Sequence, residues 1–356
     1  MKQYNVIGLM SGTSLDGLDI ASCSFIEEAG NWEFKIQQAE TISYTNEWIK
    51  NLTVAPFLSS DELRQLDFSY GNYLAVKTLT FIEKNKLNPD FIASHGHTIF
   101  HQPEKNFTLQ IGNGTQMAEI LKLPVIYDFR ALDISLGGQG APLVPIGDQL
   151  LFKDFEICLN LGGFANISFD LQGRRMAQDV CPVNMALNFI SQKEHQEYDH
   201  NGQMALKGKI NSELLKTLNN ISYYHIDPPK SLSREWFESE FLSILLKFPI
   251  SNYDLLHTIT EHIAFQISNS FRIKEKGKVL ITGGGAHNAY LMQRIQALTN
   301  LNIEIPDHDL VDFKEAVVFA FLGILRMRDE VNCLGSATGA KHDSCGGIIA
   351  NPKKIA

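Results

Sequence analysis

The chain has 356 residues, of which 44% are hydrophobic and 20% are charged. This length suggests two domains. The composition excludes a disordered chain, which could not bury enough apolar surface to offset the entropy lost on folding. The formal net charge of -9 argues against a nucleic-acid backbone as the main partner, because that contact is driven by an excess of cations. A local site can still hold an anionic substrate.

The cysteine pattern and the lack of long apolar runs indicate the compartment. The five cysteines are scattered and include no Cys-x-x-Cys pair, which argues against a disulfide framework and favours a reducing compartment. The N-terminus lacks the apolar core of a signal peptide. No run approaches the roughly 20 apolar residues of a membrane helix. We therefore expect a cytoplasmic protein without a membrane partner.

The first half of the chain opens with a strand, a tight turn and a returning strand. Apolar, β-rich runs cover residues 4–10 and 18–26, and Ser11-Gly12-Thr13-Ser14 between them has turn chemistry. The elements predicted to follow are a third strand at 34–44, a helix at 60–85 and a short buried strand at 91–93.

The second half repeats this order. A strand is predicted at 156–161, a turn at Gly162–Asn166, a returning strand at 167–171 and a third strand at 174–180. Helices at 211–219 and 253–273 and a strand at 278–281 follow. The repeat predicts two α/β lobes around a cleft, the first covering 1–145 and the second 146–356. The final helix could pack back on the first lobe.

The turn from Gly12 to Gly17 has the chemistry of an anion site. Small residues let the backbone approach an anion, and successive N–H groups can form an anion-binding concavity. Asp16 could hold a water bound to Mg²⁺, because Mg²⁺ favours carboxylate and water oxygens. A plain hairpin turn capped by Asp16 explains the pattern equally well. The lack of a following Gly-Lys-[Ser/Thr] excludes a P-loop.

Two further glycine-rich turns occur in the second half. Gly162-Gly163-Phe164-Ala165-Asn166 occupies the position equivalent to the first turn, so the two turns could grip a polyphosphate from opposite sides of one cleft. Gly283-Gly284-Gly285 lies between a strand and the helical run 290–297, which suits a nucleotide at a helix N-terminus. The turn lacks a strict Gly-x-Gly-x-x-Gly fingerprint, so a dinucleotide is not implied.

Four polar residues are candidates for chemistry. His97 and His101 have metal-ligand spacing if helical, but they follow a strand, so the metal interpretation is not favoured. A role as polar loop residues that bind a substrate is at least as well supported as a metal site. Arg130, flanked by two aspartates, could bind a carboxylate through two N–H groups or pair with its neighbours. Asp179 ends a predicted strand and is a candidate general base, or else a turn residue.

Together these motifs resemble the anhydro-N-acetylmuramic acid kinase family, part of the sugar kinase, heat-shock ATPase and actin superfamily. The motifs that carry the resemblance are Gly8–Asp19, Ser94–His97, Gln110–Gly114, Asp128–Arg130, Gly137–Leu143, Asn160–Ile167, Pro229–Glu235, Thr260-Glu261, Gly283–Met292, Glu315-Ala316 and Ser336–Ala340. They occur in order from about residue 6 to 340, and several are long and unusual.

The resemblance implies a two-lobed, actin-like ATPase fold with duplicated ribonuclease H-like domains. Each lobe is expected to hold a mixed five-stranded sheet flanked by helices, with the nucleotide between the lobes. The family uses ATP, with Mg²⁺, and water to open the 1,6-anhydro bond of a cell-wall amino sugar and phosphorylate the freed 6-oxygen. The product is N-acetylmuramic acid 6-phosphate, in peptidoglycan recycling. The partners implied are this sugar and ATP, and a homodimer is expected only as a base rate.

The resemblance also implies roles for individual residues. Asp179 is the base that takes a proton from the attacking water. Arg130 faces the carboxylate of the sugar, and His97, Glu315 and Asn184 lie near the sugar. The residues implied for ATP are Gly12, Thr13, Ser14, Leu15, Asp16, Gly17, Leu18, Asp19, Gly162, Gly163, Asn166, Gly283, Gly284 and Gly285, with Asp16 holding Mg²⁺ through water.

One run departs from the family pattern. The family's usual Asp-Thr-Gly-Pro-Gly-Asn is here Asp179-Val180-Cys181-Pro182-Val183-Asn184. The loss of both glycines predicts a changed sugar pocket if either position needs a positive φ or close approach to the substrate. The changed run leaves two alternatives open: a kinase for a related anhydro sugar, and a nucleotide- and sugar-binding sensor without chemistry. A third alternative is a metal-dependent enzyme that uses His97 and His101.

Overall fold

The computed structural model describes residues 1–227 and 230–353. Pro229, the first residue of the motif Pro229–Glu235, lies outside the described residues. The strands are β1 (Lys2–Ser11), β2 (Gly17–Glu28), β3 (Asn31–Ser43), β4 (Phe91–Gln102), β5 (Phe107–Ile111), β6 (Val125–Tyr127), β7 (Ile157–Leu161), β8 (Phe164–Leu171), β9 (Arg174–Pro182), β10 (Lys278–Thr282), β11 (Asn302–Glu304) and β12 (Ile348–Ala350).

The α-helices vary from single turns to long helices. They are α1 (Asn46–Val54), α2 (Ser60–Asn85), α3 (Gly114–Leu121), α4 (Ala131–Ser135), α5 (Pro145–Leu151), α6 (Asn184–Ser191), α7 (Ser212–Asn219), α8 (Arg234–Trp236), α9 (Ser243–Leu245), α10 (Asn252–Ser270), α11 (Ala289–Ala297), α12 (His308–Met327) and α13 (Gly335–Thr338). None of the helices in the described part of the chain combines the length and apolarity that a membrane span requires.

The chain divides into two compact units. The first contains residues 1–151 and the chain from Phe313 onward, and the second contains residues 152–312. Most of α12, together with α13 and β12, therefore belongs to the first unit. The expected lobes, 1–145 and 146–356, stay a prediction.

The sheet of the first unit has the order β12-β6-β4-β1-β2-β3, with β5 paired to β4. β1, β2 and β3 pair antiparallel, whereas β4 runs parallel to β1 and β6 runs parallel to β4. The strands β3-β2-β1-β4-β6 form the expected five-stranded mixed sheet. β5 and β12 extend it to seven strands. The strand predicted at 91–93 was too short, because the chain stays extended through Gln102 to pair with β5.

Both faces of this sheet are covered by helices. Neighbouring residues of β1 point to opposite faces: Val6 packs in the cluster that contains α12 residues, and Ile7 in the cluster that contains α2 and α3 residues. α2 starts at a capping box formed by Ser59 and Glu62. A Cβ atom at Gly8 would lie 1.9 Å from the carbonyl oxygen of Ala316. Glycine at this position therefore lets α12 lie directly on β1.

The second unit repeats this arrangement. Its sheet has the order β11-β10-β7-β8-β9. β7, β8 and β9 pair antiparallel, and β10 runs parallel to β7 as β11 does to β10. Starting from β9, the order β9-β8-β7-β10-β11 matches β3-β2-β1-β4-β6 of the first unit in both strand order and direction. The mixed α/β fold with a duplicated sheet, predicted from the sequence, is confirmed.

Candidate active site

The first candidate site lies at the turn between β1 and β2. Thr13, Ser14 and Asp16 are exposed. The Ser14 hydroxyl donates to Asp16 Oδ1 over 2.7 Å, and the Gly17 N–H donates to the same oxygen over 3.0 Å. Leu15 takes a φ of 60°. The turn therefore presents two hydroxyls and a carboxylate at the end of a buried strand.

The residues that follow this turn enter the sheet. Leu18 is 1% exposed and belongs to the core, so only its backbone could touch a ligand. Asp19 accepts a hydrogen bond of 2.6 Å from the Thr41 hydroxyl on the neighbouring strand. The nucleotide contacts implied for Gly12–Asp19 stay a prediction, and the turn itself is the part that solvent can reach.

A chain of buried polar groups supports the first turn. Parallel β1 and β4 place Ser11 opposite His97, and Ser11 Oγ lies 2.8 Å from His97 Nδ1 and 2.7 Å from the Tyr44 hydroxyl. Tyr44 in turn contacts the Tyr70 hydroxyl at 2.5 Å. Burial lowers the pKa of His97 to about 4, so its imidazole is neutral at pH 7. His97, 3% exposed, anchors the last residue of β1.

The metal-ligand spacing of His97 and His101 does not form a metal site. Both residues lie in β4, not in a helix. At about 3.3 Å per residue, four residues of strand separate them by roughly 13 Å. His97 is buried, whereas His101 is exposed. The interpretation of this pair as transition-metal ligands is therefore wrong, because it depended on helical geometry.

Arg130 follows β6 and contacts another of the motifs, Ser94–His97, through His95. Its Nε donates to His95 Nε2 over 3.1 Å, its Nη2 lies 2.9 Å from the same nitrogen, and its Nη1 donates to the Gly140 carbonyl over 2.6 Å. Burial and the nearby guanidinium hold the pKa of His95 well below its usual value. His95 is therefore a neutral acceptor, with Nδ1 facing the Gly96 carbonyl at 2.9 Å.

Asp133, for which the sequence predicts no role of its own, joins two motifs of the first unit. Its Oδ2 accepts from the Gly140 N–H over 2.7 Å, and its Oδ1 accepts from the Thr338 hydroxyl over 2.7 Å and from Cys333 Sγ over 3.2 Å. The glycine loop 137–143 is therefore fixed to the C-terminal segment. This loop supplies the carbonyl that orients Arg130.

Glu315 is a half-buried carboxyl on α12. Burial raises its pKa, and Arg130 and Lys314 oppose that rise. Lys314 itself makes a buried ion pair with Asp148, with 2.7 Å between Nζ and Oδ1. The first unit thus places a guanidinium and a carboxyl with a raised pKa within electrostatic reach of each other.

The second unit has a turn of different composition. Gly162 and Gly163 join β7 to β8, and their carbonyls face the start of α6. The Gly163 carbonyl accepts from the N–H groups of Val183 over 2.8 Å and Met185 over 3.3 Å, and the Gly162 carbonyl accepts from Asn184 over 3.2 Å. A Cβ atom at Gly162 or Gly163 would meet nothing closer than 3.6 Å. The space beside both glycines is therefore open.

The third glycine motif packs against the same part of β7. Gly283 has a φ of 84°, and a Cβ atom there would lie 2.6 Å from the side-chain oxygen of Asn160. A Cβ atom at Gly285 would lie 2.7 Å from Leu161 Cβ. These two glycines are needed for close packing. At Gly284 the nearest atom is 3.7 Å away, so this residue borders open space.

Asn184, the first residue of α6, lies between these two glycine segments. Its side-chain amide donates to the Leu161 carbonyl over 3.1 Å. The same nitrogen is the atom nearest to a Cβ built on Gly284. The second unit thus brings Gly162, Asn184 and Gly284 together. The sequence implied contacts to phosphate, sugar and adenosine, respectively, for these three residues.

Asp179 lies on β9 opposite Asn166 of β8, next to a bulge. Its Oδ2 accepts from the Leu232 N–H over 2.8 Å, its own N–H donates to the Lys230 carbonyl over 3.1 Å, and the Tyr223 hydroxyl donates to its carbonyl over 2.8 Å. Burial raises the pKa of Asp179 to about 6, although the Leu232 N–H opposes the rise. The carboxylate is thus more basic than an ordinary aspartate and still ionised at pH 7.

The sheet places Asp179 and the glycines at one edge of the second unit. Because β7, β9 and β10 run in the same direction, their carboxyl ends share an edge, where ligands of open α/β sheets bind. The segment 230–232, part of a motif for which the sequence predicts no role, contacts Asp179 at this edge. No local sequence pattern marks that placement.

The departures at Cys181 and Val183 lie inside the protein. Both side chains are 0% exposed and belong to the core of the second unit. Val183 has a φ of -121°, and Cys181 does not take a positive φ. The positive φ considered for these positions therefore does not occur. Close approach of a substrate to this backbone stays a prediction.

The duplicated mixed sheet, with glycine turns at the strand ends, defines a protein of the α/β class built from two similar units. One similar solved structure is the activator of the 2-hydroxyisocaproyl-CoA dehydratase from Clostridium difficile with bound ADPNP. Its sequence is 17% identical to this chain, the alignment covers 91% of this chain and 97% of the activator, and the TM-score is 0.44. The family model described as anhydro-N-acetylmuramic acid kinase matches residues 4–352.

Two relatives carry that family's name. The anhydro-N-acetylmuramic acid kinase of Microcystis aeruginosa is 34% identical, with 94% of this chain and 97% of the relative covered. That of Clostridioides difficile is 37% identical, with 94% and 95% covered. The chain belongs to the anhydro-N-acetylmuramic acid kinase family.

Proposed function

We propose that this chain is an ATP-dependent kinase that opens 1,6-anhydro-N-acetylmuramic acid and phosphorylates its 6-oxygen. The observation that carries the proposal is Asp179, a carboxylate with a pKa raised to about 6 at the sheet edge that also holds the glycine turns of the second unit. Membership of the family and the names of the relatives support this substrate.

The chemistry of the anhydro sugar explains why a base is needed. The sugar has no free 6-hydroxyl, because its 6-oxygen bridges to the anomeric carbon. Water attacks the anomeric carbon, the bond from that carbon to the 6-oxygen breaks, and the freed electron pair forms the new bond to the γ-phosphorus as ADP leaves. Asp179 accepts the proton lost by the water. A basic, ionised carboxylate is suited to this step.

The glycine turns would bind the ATP. Phosphoryl transfer depends mainly on positioning and on neutralising charge. Thr13 and Ser14 offer hydroxyl donors, and the open space beside Gly162 and Gly163 lets a phosphate approach the backbone. Gly284 borders the space suited to the adenosine. That both turns contact one ATP molecule stays a prediction.

The first turn also fits a magnesium ion. The exposed Asp16 carboxylate, flanked by hydroxyls, is the type of oxygen donor that Mg²⁺ takes directly or through water. Asp16 would hold the ion through a water, and the ion would supply neutralisation of phosphate charge.

Arg130 is the residue proposed for the lactyl carboxylate of the sugar. Within residues 1–227 and 230–353, its contacts to His95 and Gly140 use three of its five N–H groups, which leaves two for an anion. Glu315 and Asn184 are proposed near the sugar. His97 is proposed to act by fixing Ser11, since its side chain is buried.

The alternative functions suggested by the departure at residues 180–183 have less support. The side chains of Cys181 and Val183 fill the core and Asp179 is retained, so no observation favours a sensor that has lost its chemistry. A related anhydro sugar stays an alternative substrate. A cytoplasmic location and a homodimer also stay predictions.

The test is product analysis by mass spectrometry after incubation with ATP, Mg²⁺ and the anhydro sugar in water enriched in oxygen-18. We expect ADP and a sugar 6-phosphate that carries one labelled oxygen at the anomeric carbon, both dependent on the sugar. ADP release that is equally fast without sugar would contradict the proposal. Sugar binding without any product would instead indicate the sensor.

A further inference from the structure

Three metal-ligating side chains meet on the surface of the second unit, and the kinase chemistry uses none of them. His287 Nε2 lies 2.7 Å from Asp312 Oδ1, and His308 Nδ1 lies 3.0 Å from Asp312 Oδ2. The two imidazole rings are 4.7 Å apart between centroids. One donor atom from each residue can be chosen so that all three lie within 4.8 Å of one another.

The backbone holds these residues in place independently of their side chains. His308 and Asp312 are one turn apart on α12, so they share a helix face. His287 ends the short helix Gly284–His287. That loop is bound to α12 because the Gly283 N–H donates to the Val311 carbonyl over 2.8 Å. The framework of the cluster therefore does not depend on the contacts between histidine and aspartate.

We propose that His287, His308 and Asp312 form a binding site for a transition-metal dication of the Zn²⁺ type. Bonds of about 2.0–2.1 Å in a tetrahedral site place ligand atoms roughly 3.4 Å apart, so the observed separations between the donor atoms need only small side-chain movements. Two imidazole nitrogens and one carboxylate oxygen favour Zn²⁺ and its neighbours over Mg²⁺ or Ca²⁺. Water completes the coordination, because the side chains are partly exposed.

This site differs in ligands and in purpose from the proposed magnesium contact at Asp16. The metal would replace the two contacts between histidine and aspartate with coordination bonds and join the loop after Gly283 to α12. The inference does not rest on the kinase function, since it concerns metal binding alone.

Binding is tested on the full chain after treatment with a chelator, with Co²⁺ as the spectroscopic probe. We expect one Co²⁺ per chain, with visible d–d absorption that disappears when Zn²⁺ is added. A sulfur-to-cobalt charge-transfer band should be missing. Zn²⁺ should also raise the melting temperature, as a ligand of the native state does. Binding to cysteine would show that band; Cys23, Cys158, Cys181 and Cys333 are buried.

The variants locate the site. Asp312→Asn and the double variant His287→Ala/His308→Ala should each weaken Co²⁺ binding by at least about tenfold, as loss of metal partners commonly does. His200→Ala, which removes another exposed histidine, should bind like the native chain. Circular dichroism checks that every variant is folded. Equal Co²⁺ affinity in the double variant, or no stoichiometric binding in the native chain, would overturn the proposal.

Discussion

The two units have sheets with the same order of five strands, but equivalent positions of the two sheets hold different polar residues. In the first unit, the second cross-strand pair counted from the turn is Met10 on the first strand with Asp19 on the second strand. Asp19 in turn pairs with Thr41 on the third strand. In the second unit the corresponding positions are Asn160, Asn166 and Asp179. The carboxylate thus lies on the second strand in one unit and on the third strand in the other.

This difference separates two tasks. Asp19 accepts a hydrogen bond from Thr41 within its own sheet, whereas Asp179 accepts from the backbone of Leu232 in a covering segment. Burial raises the pKa of Asp179, and the hydrogen bond from the Leu232 N–H opposes that rise. The turns differ in the same way: the first offers exposed hydroxyls and Asp16, and the second offers two glycines. We infer that the first unit supplies side chains for charge, and the second supplies backbone and the base.

Asp179→Asn gives the largest expected effect. Loss of a general base should lower kcat by about 10²–10⁴-fold, while ATP binding stays close to native. Sugar-dependent ADP release measures kcat, and calorimetric titration with ATP measures ATP binding. Asp19→Asn is the comparison variant, because it removes the carboxylate of the first unit's sheet at the position that corresponds to Asn166. An equal loss of kcat in Asp19→Asn, with unchanged ATP affinity, would show that the assignment of the base to the second unit is wrong.

The pH dependence of the reaction sharpens the same assignment. Because burial raises the pKa of Asp179 to about 6, the carboxyl is protonated below that pH and cannot accept the proton of the water. We expect kcat/KM to be level above about pH 7 and to fall about tenfold per unit well below pH 6. Steady-state rates between pH 5 and 8 test this. A profile that stays flat down to pH 5 would show that the group is not the base.

Two glycine substitutions separate binding from packing. At Gly162 a methyl group finds open space, so Gly162→Ala should keep the fold and weaken ATP binding by about tenfold, or about 1.4 kcal/mol. At Gly8 a methyl group meets the Ala316 carbonyl, so Gly8→Ala should lower the free energy of unfolding by about 1–3 kcal/mol. Urea unfolding and ATP titration compare the two. If Gly162→Ala binds ATP normally, the second turn does not contact the phosphates.

Ser11→Ala should give the smallest effect. It removes the partner that His97 and Tyr44 share, and the loss of a buried hydrogen bond should lower the free energy of unfolding by about 1 kcal/mol. Ser14→Ala, an exposed serine of the same turn, is the control and should change stability by less than about 0.5 kcal/mol. Equal stability of both variants would remove the supporting role of His97.

The sequence predicted local structure better than tertiary contacts. The helix 60–85 agrees with α2, because its periodicity and capping residues are local. The length of β4 was underestimated, because polar residues and a glycine follow Ala93, and this part of the chain is extended through pairing with β1 and β5. The contact of Leu232 with Asp179 joins residues 53 apart, and that of Thr338 with Asp133 joins residues 205 apart. No local pattern marks either contact, so Asp133 and the segment 230–232 received no role.

The burial of Cys181 and Val183 bears on how this family can evolve. Once these side chains occupy the interior, a return to the family's glycines would leave a void, which costs stability in proportion to the volume lost. The neighbouring packing would need further substitutions before that return became tolerable. Replacing either side chain by glycine would therefore lower the stability of this chain unless the packing around it changed as well.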